Sequence, residues 1–150
     1  MAKKTLIVYY SRSGLSEQLA KALSAKLNGD IDNVGYADRD KVSFAAAGLE
    51  AVRKTTSAFK GDTHDASQYD EVFFISPVWA SSLATPIRSY MAANKDKIKS
   101  YALLVTCGSG GLEGAKKDAC AAIGKTPYIS QQFLSKEIKQ NEFNLDEFVK

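Results

Sequence analysis

Three hydroxyls fall within six residues in SRSGLS (11–16), where Ser11, Ser13 and Ser16 surround Gly14. Side chains of this kind are short, neutral hydrogen-bond donors, suited to enclosing an anion. The segment follows the apolar run TLIVYY (5–10) and leads directly into helical spacing. The leading N–H groups of a helix lack internal partners, and its dipole places partial positive charge there. Gly14 lets the backbone bend round a bound group without a Cβ in the way. The chemistry indicated is phosphate binding by amides and hydroxyls. The plainer alternative is that Ser13 only caps the helix. No GK[ST] follows, so the lysine of a nucleoside-triphosphate loop is missing, and the spacing is not GxGxxG.

Two further segments have unusual composition. SPVWASSLATP (76–86) carries Trp79, the only tryptophan, beside Ala80, Ser81 and Ser82. A flat indole among small neighbours suits stacking on a planar ring, although a lone tryptophan also serves to cover a core. TCGSGGLEG (106–114) has glycine at 108, 110 and 111, which leaves the backbone free to point N–H groups at the edge of a ligand. A flexible turn would account for fewer glycines.

Other chemistries fit poorly. CGSGG (107–111) misses a GxSxG elbow because Cys107 stands where glycine belongs. The only histidine, His64, lies in the polar stretch GDTHDASQYD (61–70) and is expected to face solvent, with no metal ligands at suitable spacing. A phosphoacceptor domain needs acidic residues after its first strand and an Asp after the third. Ser11, Arg12 and Ser76 occupy those places. Cys107 is the candidate redox-sensitive thiol, with a small buried side chain as the alternative.

Three apolar runs must position these segments: 5–10, EVFFISPV (71–78) and YALLVT (101–106). Runs without polar alternation suit strands covered on both faces, as in a parallel sheet. Helical patterns separate them: Leu15, Leu19, Leu23 and Leu27, then residues 42–59, 85–98 and 112–123. Weaker strands are expected over 31–37 and 126–138, with Pro127 at a strand start or edge, and 144–150 can form only a short helix. The alternation predicts an α/β fold, a single three-layer doubly wound domain over 1–150 with a five-stranded parallel sheet. The candidate segments then leave the carboxyl ends of three strands, where such sheets bind ligands.

Composition agrees. The 150 residues are 45% hydrophobic and 25% charged, ordinary globular values, with a net charge of +3. Charges are interspersed without a long basic run, which gives no support for nucleic-acid binding. The opening MAKKTLIVYYSRSG is too briefly apolar for a secretory signal or a membrane span, so a cytoplasmic protein with no membrane span is expected. Cys107 and Cys120 are then expected to be thiols.

Taken together, YYSRSGLSEQLAKAL, AGLEAVRK, YDEVFFISPVWASSLATPIRSYM and LLVTCGSGG occur in an order that resembles the flavodoxin-like family of FMN-binding proteins, along the whole chain. The resemblance implies sheet order 2-1-3-4-5 and FMN at the strand ends. By it, Ser11, Arg12, Ser13, Gly14, Leu15 and Ser16 would hold the 5′-phosphate. Pro77, Val78, Trp79, Ala80, Ser81 and Ser82 would flank the isoalloxazine, and Cys107, Gly108, Ser109, Gly110 and Gly111 would line its other edge. It implies electron transfer with a redox partner protein, or reduction of a small acceptor such as a quinone by NAD(P)H, with a homodimer an open question. The chain departs from the acidic electron carriers of that family: it is basic, and Lys116 and Lys117 follow its third segment. The positive charge is expected to favour the reduced, anionic flavin.

Overall fold

In the computed structural model, which describes residues 4–36, 59–79 and 81–149, the continuous apolar runs are the central strands of one sheet. β1 (Thr5–Tyr9), β2 (Asp30–Asn33), β5 (Glu71–Trp79), β7 (Tyr101–Cys107) and β8 (Ile129–Leu134) pair in parallel in the order β2-β1-β5-β7-β8. Counting these five alone, that is the expected order 2-1-3-4-5. The register sets Tyr9 opposite Ile75 and Ile75 opposite Leu104, so β1, β5 and β7 reach the same edge together.

Both faces of the sheet are covered, which is why its strands show no polar alternation. On one face Ile7, Phe73, Ile75 and Leu104 pack against Leu19, Ala20 and Leu23 of α1 (Leu15–Leu27). On the other, Val8, Phe74, Leu103 and Val105 meet Ile87, Tyr90 and Met91 of α2 (Thr85–Asn94). Ala115 and Ala119 of α3 (Leu112–Ile123) complete that side. Burying each such Phe or Leu is worth about 1.5–3 kcal/mol, so these two clusters hold the strand ends in place.

Several boundaries differ from expectation. The strand expected over 31–37 divides: Val34 N–H bonds Tyr9 O at 2.8 Å, and β3 (Gly35–Tyr36) leaves to pair antiparallel with β4 (Phe59–Lys60). Apart from Phe59, which is in β4, the helix expected over 42–59 lies outside the described residues, as does Ala37. The last strand stops at Leu134, and residues expected to extend it form the short helix α4 (Ser135–Lys139). Pro127 lies just before that strand. The closing segment forms a single 3-10 turn, Asp146–Phe148. Leu145 and Phe148 are buried against the α1 face, with Phe148 6.2 Å from both Phe73 and Phe133. Short as it is, this turn covers its part of the sheet.

Candidate functional site

The three segments singled out by composition sit side by side, because the strands they leave are neighbours. After β1 the chain turns through Ser11 to Gly14. Gly14 is the helix N-cap at φ +93°, and its N–H donates to Ser11 Oγ at 2.9 Å. No side chain caps α1; Ser13 is exposed and is not the cap. The first intrahelical bond runs from Gln18 N–H to Gly14 O at 3.0 Å, so the N–H groups of Leu15, Ser16 and Glu17 have no acceptor within the helix. Ser16 is turned inward: its buried Oγ lies 3.3 Å from Thr106 Oγ1 and ties the first turn of α1 to β7. Leu15 is half-buried against the α1 face. Burial raises the Tyr10 phenol above its ordinary value, and the neighbouring Arg12 guanidinium acts against that rise.

The Trp79 segment is a hairpin rather than a loop. β5 continues through Pro77 and Val78 to Trp79, and β6 (Ser82–Leu83) folds back on it, Val78 opposite Leu83 and Trp79 opposite Ser82. Proline is tolerated in this central strand because β1 has already turned away: its pairing with β5 ends at Ile75. Ala80 lies outside the described residues; Ser81 adopts φ +59°. Trp79 is half-buried, its ring perpendicular to that of Tyr10 with centroids 5.9 Å apart. Tyr10 meets Tyr36 in the same manner at 5.9 Å.

The third segment begins at Cys107, the last residue of β7. Its thiol is buried and raised in pKa by that burial, and its carbonyl accepts from Ser135 Oγ at 3.0 Å. Gly108 and Ser109 are exposed, Gly110 half-buried, and Gly111 is the N-cap of α3 at φ +116°. The glycines divide into two kinds. A Cβ on Gly111 would stand 2.5 Å from Val78 Cγ1, and one on Gly114 2.0 Å from Ser81 O. These two let α3 press against the hairpin. Beside Gly14, Gly108 and Gly110 a Cβ would meet nothing within 4 Å, so the backbone there borders open space.

Some participants carry no local signal. Arg88 and Asp118, each 6% exposed, form an ion pair at 3.0 Å beneath the hairpin. The one available clue is that Asp118 follows Ala115 by three residues on the buried stripe of α3. His64, expected to face solvent, instead places Nδ1 2.5 Å from Oδ1 of buried Asp32, which also accepts from Thr63 Oγ1 at 2.7 Å. The carboxylate anchors Thr63 and His64 to β2. Lys116 reaches Glu113 at 3.9 Å, so the excess positive charge expected after the third segment is partly matched within α3. No group of three His, Cys, Asp or Glu side chains among the described residues is placed to hold a metal ion. No described helix is long and apolar enough to cross a membrane.

A parallel five-stranded α/β sheet of this order, with glycine- and hydroxyl-rich turns at the carboxyl ends of adjacent strands, defines the doubly wound class that binds ligands at that edge. The sequence matches the family described as Flavodoxin over residues 4–149, and the chain belongs to that family. Among solved structures it is similar to a flavoprotein in complex with FMN from Lactobacillus acidophilus NCFM. That likeness has a TM-score of 0.77 at 22% identity and covers 93% of this chain and 98% of the other. The apo-form of the flavoprotein from the same organism gives 0.69 at 23% identity, over 93% and 97%. A flavodoxin, WrbA-like protein from Agrobacterium tumefaciens gives 0.60 at 14% identity, over 98% and 88%. These likenesses carry the fold. No curated protein matches the sequence.

Proposed function

We propose that this chain, folded as one domain, binds FMN without a covalent bond and passes electrons through it. The observation that carries the reading is the uncapped start of α1, flanked by Ser11, Ser13 and Gly14, one strand away from the hairpin that bears Trp79. A phosphate dianion fits the first feature: three helix N–H groups, a positive dipole end and the exposed Ser13 hydroxyl need no lysine to hold it. A planar heterocycle fits the second, with Trp79 held at a fixed angle by Tyr10. The open backbone at Gly108 and Gly110 leaves room for the polar edge of a ring. Membership of the Flavodoxin family and the FMN complex of the L. acidophilus relative support the same cofactor.

When bound, the flavin supplies the redox chemistry; the protein holds it, orients it and sets the charge around it. Within this arrangement Ser16 and Thr106 fix the phosphate turn to the sheet, while Cys107, buried and kept as the neutral thiol, supplies main chain only. The electrons pass to a redox partner protein. Reduction of a small acceptor at the expense of NAD(P)H is the second reading, favoured by the exposure of Gly108 and Ser109, which leaves that side of the site accessible.

The test is titration of flavin-depleted protein with FMN, riboflavin and FAD, followed by flavin and Trp79 fluorescence. FMN is expected to bind stoichiometrically and riboflavin much more weakly. Equal binding of riboflavin would remove the phosphate role of residues 11–16. Turnover of NADPH with a quinone would select the reductase reading over the carrier.

A further inference from the structure

Leu83 is held through both of its main-chain polar groups. Its N–H donates to Asp118 Oδ2 at 3.0 Å, and its carbonyl accepts from Arg88 Nη2 at 3.0 Å. The same Nη2 donates to the same Oδ2 at 3.0 Å, which closes the arrangement on itself. The next residue is fixed too, since Ala84 N–H donates to Ser76 Oγ at 3.1 Å. Leu83 and Ser82 form the return strand of the hairpin, paired with Val78 and Trp79. Whatever fixes Leu83 therefore fixes the height and direction of Trp79.

A buried ion pair is a poor means of gaining stability, because removing two charges from water costs about as much as their attraction returns. Apolar residues of similar size in α2 and α3 would pack as well. They would leave the Leu83 N–H and C=O without partners, as a two-residue strand has only one neighbour to bond. The planar guanidinium and the carboxylate supply one donor and one acceptor in a fixed relation, which matches what Leu83 needs. α3 contributes twice: Gly114 lets it abut Ser81, and Asp118, one turn on, grips Leu83.

We infer that Arg88 and Asp118 are positioning residues for the flavin ring, holding the Trp79 hairpin in its binding geometry through Leu83 before any cofactor arrives. The inference rests on the FMN reading for its consequence, but its structural part is measurable without flavin, because Trp79 is the only tryptophan.

The experiment compares wild type with the double variant R88M/D118L, which removes both grips without stranding a buried charge. Far-UV circular dichroism and a cooperative melt establish folding. In flavin-free protein, acrylamide quenching of Trp79 is expected to rise about twofold or more as the hairpin opens locally. FMN is expected to bind about tenfold more weakly, since the ring site must now be ordered on binding. A folded double variant with unchanged quenching overturns the inference, whatever its flavin affinity. If the double variant does not fold, D118N takes its place: unchanged quenching overturns the inference and increased quenching supports it. Wild type that takes up no FMN while the variant exposes Trp79 would end the flavin reading and leave the grip on the hairpin standing.

Discussion

Tyr10, the residue after β1, and Trp79, the last of the adjacent β5, meet with ring planes at 87° and centroids 5.9 Å apart. Tyr10 is itself braced at 88° by Tyr36. The indole is thus held from the side, leaving its contact with Tyr10 independent of any ligand. Perpendicular aromatic pairs are worth about 0.5–1.5 kcal/mol beyond the area they bury. Tyr10→Ala is expected to shift Trp79 emission to the red and to weaken FMN binding by roughly 2- to 10-fold, the same energy expressed as an equilibrium constant. Paired fluorescence and flavin titrations measure both. An unshifted spectrum would show that Tyr10 does not orient the indole.

Ser13 tests the anion site directly. It is exposed beside an uncapped helix start, so Ser13→Glu places a carboxylate where the dianion belongs without disturbing the core. A unit charge about 5 Å from a dianion repels it by about 2 kcal/mol even in water-like dielectric, and more where solvent is excluded. FMN affinity should fall by at least about 20-fold, while riboflavin binding should change little. Isothermal titration with the two flavins separates these effects. An equal loss for both would point to a misfolded turn.

The central strands and α1 were legible because each carries a pattern that packing alone enforces: apolar runs for strands buried on both faces, and a leucine stripe for the helix. The return strand β6 was not, since the two residues Ser82–Leu83 are too few to carry a pattern and meet Val78 and Trp79 only in the folded chain. The glycines of the third segment were visible, yet their division was not. Gly111 and Gly114 answer to Val78 and Ser81, residues thirty or more positions away, whereas Gly108 and Gly110 border open space. Arg88–Asp118 and Asp32–His64 were hidden for the same reason, being pairs made by tertiary neighbours rather than by spacing.

That division of the glycines predicts opposite outcomes for one substitution. Gly114→Ala would bring a Cβ within 2.0 Å of Ser81 O, so α3 or the hairpin must shift. Overpacking of this kind costs about 1–3 kcal/mol. It should lower the melting temperature and weaken FMN binding together. Gly110→Ala meets nothing within 4 Å and should be neutral or stabilising by up to about 1 kcal/mol, through a less flexible unfolded chain. Thermal melts of the two variants decide the matter. Equal destabilisation would refute the close approach of α3 to the hairpin.

Stability should fall at alkaline pH, and the buried phenols give the reason. Tyr90 and Tyr101 are 1% and 0% exposed, and burial raises the pKa of both. Tyr101 donates to Lys125 O at 2.7 Å, a bond the phenolate cannot make. The folded pKa values lie above the unfolded value of about 10, so the unfolded chain releases these protons first. The stability they contribute is complete below about pH 10 and is lost as pH rises from there towards the folded values. Each group removes up to about 1.4 kcal/mol per pH unit in that window. Urea midpoints measured from pH 9 to 11.5 should hold steady up to about pH 10 and then fall. Tyr101→Phe, which removes one ionisable group and its bond to Lys125 O, should start lower at pH 9 and decline less steeply. A midpoint independent of pH across this range would show that the phenols ionise as freely in the folded chain as in the unfolded one.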